Sequence, residues 1–358
     1  MTDQGKTLVI LSPGFPKDEA DSTCIPPQQV FVRNLKLQFP SLNIIVLAFE
    51  YPFYTDQYQW NGVTVISFGG ANKGGPTRLN NWRRVWLTLN KLNKEYQLIG
   101  LLSFWMGDCA FIADAFAKRK KIKCFCWILG QDAKPGNRYF RWISPRANSL
   151  IALSDFILGE VKHNYSVTPT HVIPVGIDPL LFSNSSAKRH IDIMGAGSLI
   201  PLKLYSLLIN MISTLRIYFP DIKAVICGDG PERQLLNELI KDYHLEENIE
   251  LMGELPHTSV LALMQRTKVF VHPSSYEGLG MVCLEALYTG AQVVSFVRPI
   301  DQPIKNWHFA QTPDDMVNII KTILENPFAD HNAVSPYLIK DTCAAIMELF
   351  NYNDSAIS

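Results

Sequence analysis

Residues 272–294 read HPSSYEGLGMVCLEALYTGAQVV and contain the pattern that decides the fold of this chain. The apolar run KVFVH (268–272) leads into a turn with two glycines, a helical stretch follows, and the run AQVVSF (291–296) closes the segment. Two apolar runs of strand length, joined through a turn and a helix, predict a strand–loop–helix–strand unit with parallel strands. Glu277 in the turn and Glu285 in the helix lie at the mouth of this unit.

Short apolar runs alternate with amphipathic helical stretches along both halves of the chain. Strands separated by helices indicate βαβ units and a mostly parallel sheet. The alternation restarts after the polar, turn-rich stretch DPLLFSNSSAKR (178–189), the expected linker. We therefore expect an α/β fold of two Rossmann-like doubly wound domains facing a central cleft. The N-terminal domain covers residues 1–177 and is joined by a C-terminal helix at 335–358, and the C-terminal domain covers 178–334.

The composition is that of a folded chain and not of a disordered one. Of 358 residues, 47% are hydrophobic and 18% charged, so the chain can bury substantial cores. The net charge is zero, but residues 1–178 carry 20 Lys and Arg against 13 Asp and Glu (+7), and residues 179–358 carry 13 against 20 (−7). This asymmetry favours an anionic partner for the first half, with no sign of nucleic-acid binding. Seven cysteines without a CxxC pair, no signal peptide and no run of about 18 apolar residues indicate a cytoplasmic location.

Three glycine clusters resemble nucleotide-binding signatures without completing one. GAGSLI (195–200) has Ile200 where a third glycine is needed, and CGDGPER (227–233) is interpreted as a strand-to-helix turn. GGANKGGPTR (69–78) lacks the Gly-Lys-Ser/Thr of a P-loop and is interpreted as a loop.

The segment around the two glutamates has a more specific chemistry. Gly278 and Gly280 allow close approach of a ligand to the backbone, and the N-terminus of the following helix suits a phosphate. Ionised carboxylates accept hydrogen bonds from vicinal hydroxyls, so Glu277 and Glu285 could hold hydroxylated groups on either side of that phosphate. Such a ligand is a sugar–phosphate–nucleoside. In the alternative interpretation, Glu277 caps the helix and Glu285 is solvated or salt-bridged.

The segment 272–294 closely resembles the donor-site signature of family 4 (group 1) glycosyltransferases, which have the two-domain GT-B fold. The resemblance implies that Glu277 contacts the donor sugar, as a catalytic residue, and that Glu285 holds the nucleotide ribose. It also implies that the turn and the first helical turn bind the diphosphate through the backbone. Those residues are Gly278, Leu279, Gly280, Met281 and Val282. Supporting segments occur in the same order along the chain, namely ALSDF (152–156), VIPVGID (172–178), GSLIPLK (197–203), ICGDGPER (226–233) and IELMGELPH (249–257).

Members of this family neutralise the diphosphate with an arginine and a lysine. Lys203 matches the lysine and is expected to act in catalysis, whereas Ser198 stands at the arginine position. A lysine alone binds phosphate as a point charge, without the bidentate geometry of a guanidinium. We therefore expect weaker donor binding, or compensation from Arg233 or from a base in the first domain. The glycine-rich loop usual after the first strand is reduced to Gly14.

The first domain departs further from the family. Leu129 occupies the usual place of a histidine, and the first 162 residues contain no histidine. Asp132 is the first candidate for a catalytic role, and the alternative is that it caps the following turn. Gln131, Asn137 and Trp105 are further acceptor-side candidates.

The resemblance implies a retaining hexosyl transfer from a nucleotide-diphosphate sugar to a hydroxyl of a saccharide or lipid-linked acceptor, in surface polysaccharide or glycolipid synthesis. No cofactor or metal is expected, and His272, in an apolar run, is interpreted as a core residue. Two alternatives keep the fold. One is a nucleotide-sugar epimerase or hydrolase, and the other is a non-catalytic nucleotide-sugar-binding protein.

Membrane association has two open interpretations. Residues 81–96 place Trp82, Trp86 and other apolar side chains on one stripe beside basic residues, and KRKKIK (118–123) adds five positive charges. These features suit peripheral association with an anionic membrane at its inner face. They equally suit an ordinary amphipathic helix packed on the sheet and a basic helix C-terminus.

Overall fold

The structure is a computed structural model that describes residues 5–182 and 188–353. The chain divides into two compact units. The first unit runs to Gly176 and resumes at Tyr337, and the second unit is Ile177–Pro336. Of the expected linker 178–189, residues 183–187 lie outside the described part of the chain.

The first unit is built on an eight-stranded sheet with the order β3-β4-β2-β1-β5-β6-β7-β8. Neighbouring strands are parallel, except for the antiparallel hairpin of β3 and β4. The strands are β1 (Lys6–Gly14), β2 (Asn43–Tyr51), β3 (Thr55–Trp60), β4 (Val63–Phe68), β5 (Gln97–Phe104), β6 (Cys124–Ile128), β7 (Leu150–Ala152) and β8 (His171–Val172).

Helices connect these strands and cover the sheet. They are α1 (Pro26–Gln38), α2 (Gly75–Glu95), α3 (Asp108–Lys120), α4 (Arg138–Ile143) and α5 (Asp155–Tyr165). The apolar stripe of α2 faces the core, because Val85, Leu89 and Leu92 are buried against the sheet and Trp82 and Trp86 pack beside them. This stripe is therefore the packed side of an ordinary amphipathic helix.

The second unit contains a six-stranded, fully parallel sheet with the order β11-β10-β9-β12-β13-β14. The strands are β9 (Ile191–Ala196), β10 (Ala224–Cys227), β11 (Ile249–Gly253), β12 (Thr267–His272), β13 (Gln292–Ser295) and β14 (Trp307–Phe309). The helices are α6 (Tyr205–Leu215), α7 (Arg233–Asp242), α8 (His257–Met264), α9 (Met281–Tyr288) and α10 (Pro313–Glu325). The expected α/β class with two Rossmann-like parallel sheets is confirmed.

Two glycine clusters of the second unit serve backbone packing. A Cβ on Gly228 would lie 1.9 Å from the carbonyl oxygen of Gly197, and one on Gly230 would lie 2.5 Å from that of Leu199. The turns after β9 and β10 therefore touch backbone to backbone, which only glycine permits. This explains both GAGSLI and CGDGPER without a bound nucleotide.

The last helix, α11 (Ile339–Leu349), belongs to the first unit. Its Thr342 hydroxyl donates to the carbonyl of Pro174 (2.8 Å) and accepts from the amide of Gly176 (3.0 Å). Just beyond the helix, the ring of Phe350 lies so close to Gly100 of β5 that a Cβ there would meet it at 2.4 Å. Strand β5 and the end of the chain are thus packed as one structure.

Candidate functional site

The two glutamates lie at the carboxyl edge of the second sheet, beside its topological switch point. The chain proceeds from β9 to β10 and β11 on one side and then returns to place β12 on the other side of β9. The loops that follow β9 and β12 are consequently neighbours, and the carbonyl of Leu202 accepts from the amide of Ser275 (3.1 Å) and the hydroxyl of Ser274 (3.3 Å). Switch points of this kind are where parallel α/β sheets bind ligands.

Helix α9 begins at this edge without a side-chain cap. Gly280, the residue before the helix, has a left-handed backbone (φ +69°), and it offers no side chain to bond to the first turn. The first amides of a helix have no intrahelical partner, so Met281 and Val282 present N–H groups at the positive end of the helix dipole. The side chain of Leu279 is buried and anchors the turn that also contains Gly278. The alternative that Glu277 caps this helix is wrong.

Glu277 binds two side chains through one oxygen. Its Oε2 accepts from the ammonium of Lys203 (2.6 Å) and from Nε2 of His272 (2.9 Å). Lys203 lies in the loop after β9, and His272 is the last residue of β12, so the switch point brings the three together. His272 is buried, as expected of a core residue, but it is also part of the site.

The contacts of Glu277 keep its carboxyl group ionised. Burial alone raises the pKa of this carboxyl group, but the hydrogen bond from His272 and the charge of Lys203 lower it to about 2. Burial lowers the pKa of the His272 imidazole against the opposing effect of Glu277. The cluster is therefore a carboxylate with an ammonium and a neutral imidazole at neutral pH.

Glu285 has a histidine partner of its own. Its Oε1 lies 2.8 Å from Nε2 of His257, the first residue of α8. Both side chains are largely buried, with 17% of Glu285 and 21% of His257 exposed. The structure therefore places Glu285 in a pair with His257, as in the salt-bridged alternative. A partner 28 residues away in sequence gives no local signal, and the sequence interpretation missed it.

Ser198, at the arginine position of the family, and Arg233, the expected compensating base, lie in different parts of the second unit. Ser198 is exposed in the turn after β9, which contains Lys203 a few residues later. Arg233 pairs with Asp229 (3.7 Å) and lies close to the carbonyl of Leu251 (3.5 Å). These contacts place Arg233 with the ends of β10 and β11.

In the first unit, Asp132 is occupied by backbone amides. Its Oδ1 accepts from Gly130 (2.8 Å) and Leu129 (3.2 Å), and its Oδ2 accepts from Met106 (2.8 Å). Burial raises the pKa of this carboxyl group to about 6. Asp132 thus ties together the loops after β5 and β6, rather than capping the turn that follows.

Asn137, Gln131 and Gly14, further candidates of the first unit, lie at a helix start, at the surface and at a strand end. Asn137 caps α4 by accepting from Tyr139 N (3.0 Å) and donates to the carbonyls of Met106 and Asp132. Gln131 is exposed, and Gly14 ends β1 with Tyr51 Cβ 3.3 Å from where a glycine Cβ would be.

Trp105, one of the acceptor-side candidates, lines a cavity of the first unit. This cavity of about 290 Å³ lies at the carboxyl ends of β1, β2 and β5, which is the switch point of the first sheet. Trp105 has an unusual left-handed backbone (φ +61°). Sequence interpretation missed the charged and phenolic residues of the wall, which lie near the end of β2 and in the first turns of α2, α3 and α4. They are Glu50, Arg78, Asp108 and Tyr139.

Comparison with known proteins identifies the second unit. Residues 178–337 match the model of the family described as "Glycosyl transferases group 1". This stretch contains the Lys203, Glu277 and Glu285 cluster. Residues 178–337 are a group 1 glycosyltransferase domain.

Curated relatives share parts of their length with this chain. One is the human protein named as a subunit of phosphatidylinositol N-acetylglucosaminyltransferase, which is 34% identical over 126 residues, or 35% of this chain and 26% of the human protein. Glycogen synthase of Mycobacterium tuberculosis is 24% identical over 214 residues, 57% of this chain and 52% of the synthase. The chain thus spans about a quarter of the first relative and about half of the second.

Solved structures show the GT-B fold over nearly the whole chain. HepE of Anabaena, in complex with UDP and glucose, superposes with a TM-score of 0.67 at 16% identity and covers 96% of this chain and 95% of its own. Within residues 5–182 and 188–353, no cluster of three or more potential metal ligands occurs. None of the helices described there is long and apolar enough to cross a membrane.

Proposed function

We propose that this glycosyltransferase chain moves a hexosyl group from a nucleotide-diphosphate sugar to a hydroxyl of a saccharide or lipid-linked acceptor, with retention of configuration. One observation carries the proposal: the uncapped N-terminus of α9 lies between two carboxylates at the switch point of a parallel sheet. Amides there suit the diphosphate, and the carboxylates suit hydroxyls on either side of it.

The donor proposed is a UDP-sugar. HepE was solved with UDP and glucose, and the human relative is named an N-acetylglucosaminyltransferase. UDP-glucose and UDP-N-acetylglucosamine are therefore the first donors to test. No resident cofactor is proposed.

In the proposed reaction, the protein positions the substrates and stabilises the leaving group. The acceptor oxygen bonds to the anomeric carbon, the bond to the diphosphate breaks, and the departing phosphate takes the acceptor's proton on the same face. Glu277, with a pKa of about 2, is a poor proton acceptor and acts by orienting the donor sugar. Lys203 and the amides of Met281 and Val282 stabilise the negative charge of the diphosphate.

Lys203 neutralises only part of the negative charge of the diphosphate. Its ammonium is already paired with Glu277 at 2.6 Å, and Ser198 contributes no charge beside it. The helix amides therefore supply a larger share of diphosphate binding than in relatives with both cations. The residues Gly278 to Val282 are the proposed phosphate cradle.

The acceptor site is proposed in the first unit, at the cavity beside Trp105. An aromatic face with carboxylates around it suits a saccharide ring, because the ring's C–H face packs on indole and its hydroxyls donate to carboxylates. Glu50 and Asp108 are such carboxylates, and Trp105 offers the indole. Asp132 and Asn137 support this region through the loop that contains Met106.

A lipid-linked acceptor requires access to a membrane, and we propose peripheral association at the cytoplasmic face. The proposed contact is an aromatic–arginine surface formed by Trp142 and Arg138 on α4, with Phe111 of α3 and Trp82 of α2 packed beneath it. The ring centroids of Trp82 and Phe111 are 5.1 Å apart, and those of Phe111 and Trp142 are 6.0 Å apart. Arg78 lies over the ring of Trp82 and Arg138 over that of Trp142, and Trp142 is 41% exposed. Tryptophan and arginine together suit an anionic lipid interface.

The basic run 118–123 adds less to this surface than its sequence suggests. Lys118 pairs with Asp114 and donates to the carbonyl of Ile143, and Lys123 donates to that of Leu349. A flotation assay at low salt tests the surface with phosphatidylglycerol vesicles. Wild type should float, Trp142→Ala with Arg138→Gln should not, and Phe328→Ala in the second unit is the control, since Phe328 is 89% exposed. Absence of wild-type flotation would remove the membrane proposal.

The activity is tested by incubating the protein with UDP-glucose and UDP-N-acetylglucosamine and measuring released UDP, with and without saccharide and phospholipid acceptors. Acceptor-dependent UDP release supports transfer. Donor loss without an acceptor indicates the hydrolase or epimerase alternative, and binding without turnover indicates the non-catalytic one.

A further inference from the structure

Each glutamate of the proposed donor site is held by one histidine. Nε2 of His272 lies 2.9 Å from Oε2 of Glu277, and Nε2 of His257 lies 2.8 Å from Oε1 of Glu285. The histidines come from different elements, the end of β12 and the start of α8. Each of the two carboxylates therefore has a hydrogen bond to a histidine Nε2.

The pairing at Glu277 defines which oxygen remains for a ligand. An ionised carboxylate only accepts hydrogen bonds, so Nε2 of His272 must carry the proton. Lys203 and His272 both bind Oε2. Within the part of the chain that the structure describes, Oε1 of Glu277 has no hydrogen-bond partner in the protein. Because the carboxylate is 23% exposed, this second oxygen can accept from a ligand.

The pairing at Glu285 has the same form. His257 uses Oε1, and no hydrogen bond or ion pair described within residues 5–182 or 188–353 engages Oε2. Helices α8 and α9 pack against each other, which fixes the distance between the two side chains. Without the imidazole, the carboxylate could rotate about its last torsion, because terminal torsions of glutamate are broad.

We propose that His272 and His257 are positioning residues, each holding one oxygen of a donor-site glutamate so that the other oxygen faces a donor hydroxyl. His272 orients Glu277 toward the transferred sugar, and His257 orients Glu285 toward the ribose. The inference rests on the proposed function, from which the two ligand groups are taken.

The two roles predict separable effects on binding. UDP contains the ribose that Glu285 is proposed to bind, but it lacks the transferred hexosyl group that Glu277 is proposed to bind. Loss of the His272 contact should leave the affinity for UDP within about twofold of the wild-type value. It should remove the part of the affinity for UDP-glucose or UDP-N-acetylglucosamine that exceeds the affinity for UDP. Loss of the His257 contact should weaken UDP and the UDP-sugars by the same factor, about tenfold for one well-oriented hydrogen bond to a charged group.

Asparagine and glutamine variants test the geometry with full-length protein. Glutamine places its amide nitrogen near the position of Nε2, whereas asparagine reaches only to the position of Nδ1. His272→Gln and His257→Gln should therefore retain binding that His272→Asn and His257→Asn lose. Both substitutions keep a polar side chain, so a simple folding defect affects the members of each pair alike. His308→Asn is the control, since Nε2 of His308 bonds to Gln292 (2.8 Å) outside the site.

Isothermal titration with UDP, UDP-glucose and UDP-N-acetylglucosamine distinguishes the outcomes. Rescue by glutamine and the split between UDP and UDP-sugar would support the inference. Equal loss for UDP and UDP-sugar in His272→Asn, or asparagine variants that bind like His308→Asn, would overturn it while wild-type binding upholds the proposed function. A wild type that binds none of the three ligands would sink both.

Discussion

Glu277 is the residue whose chemistry most directly tests the site. Glu277→Gln removes the negative charge that Lys203 and His272 bind, and the amide can present its nitrogen to the same donors. We expect kcat/KM for UDP-sugar to fall about 100-fold or more, a magnitude typical of one preorganised electrostatic group. Steady-state kinetics measure this, with Glu250→Gln as the control because Glu250 is exposed on β11. Activity within about threefold of wild type, less than one such group supplies, would contradict the assignment.

Asp132 tests whether the first unit uses this carboxylate for structure. Asp132→Asn keeps the shape but replaces one accepting oxygen by an NH₂ group facing a backbone amide. We expect a loss of about 1–3 kcal/mol in the free energy of unfolding. Urea titration at about pH 4, where the contribution of Asp132 is larger than at neutral pH, measures this loss, and Gln131→Glu is a control in the adjacent, exposed position.

The same carboxyl group predicts a pH dependence of stability. Burial raises its folded-state pKa to about 6 from an ordinary 3.8. A raised pKa means that its contribution to stability is fully present below pH 3.8 and is lost as the pH rises through about 6. Asparagine does not titrate. The difference in unfolding free energy between wild type and Asp132→Asn should therefore narrow from about pH 4 to about pH 7, and a widening difference would contradict the assignment.

At the scale of elements, the sequence predicts the strand–helix alternation well. The run before Glu277 became β12, the helical stretch became α9, and the glycine clusters after β9 and β10 became turns, because each pattern depends on neighbouring residues. The third cluster (69–78) is a loop only up to Gly74, since α2 begins at Gly75. The α2 stripe could be assigned to the core only with the sheet in place. The contacts of Lys203 with Glu277 and of His257 with Glu285 could not be predicted, because strand order and helix packing, and not sequence spacing, bring these residues together.

Arg189 connects several element ends in the second unit. Its guanidinium donates to the carbonyls of Met264, Thr267 and Thr289, at the ends of α8 and α9 and the start of β12. Arg189→Ala leaves these acceptors without a strong donor and should lower the stability of the second unit by about 2–4 kcal/mol. Urea unfolding monitored by tryptophan fluorescence measures this, with the exposed neighbour Lys188→Ala as the control. Equal stability of both variants would show that the guanidinium is dispensable.

At the scale of the whole molecule, each unit has its own hydrophobic core, one of which surrounds α6 and the other α2 and α3. Calorimetry should therefore resolve the unfolding of the two units. In our proposal UDP binds the folded second unit. Excess UDP should therefore raise the unfolding temperature of that unit by mass action, with a stabilisation of about 2.7 kcal/mol at a UDP concentration 100 times its Kd. A shift confined to the first unit's transition would contradict the placement of the donor site. Arg189→Ala identifies which transition belongs to the second unit.

The return of the chain at Tyr337 has a consequence for biosynthesis. Strand β5 has its packing partner Phe350 near the far end of the polypeptide, whereas Ile177–Pro336 contains all of its own strands. On the ribosome, domains usually mature in the order in which they emerge. Here the second unit, which emerges later, can complete its core first. The first unit lacks the contact between Gly100 and Phe350 until α11 and the residues after it have left the ribosome. A ribosome-bound chain that ends at Pro336 and is extended by an unstructured linker long enough to clear the exit tunnel should accordingly resist protease in its second unit and remain cleavable in its first.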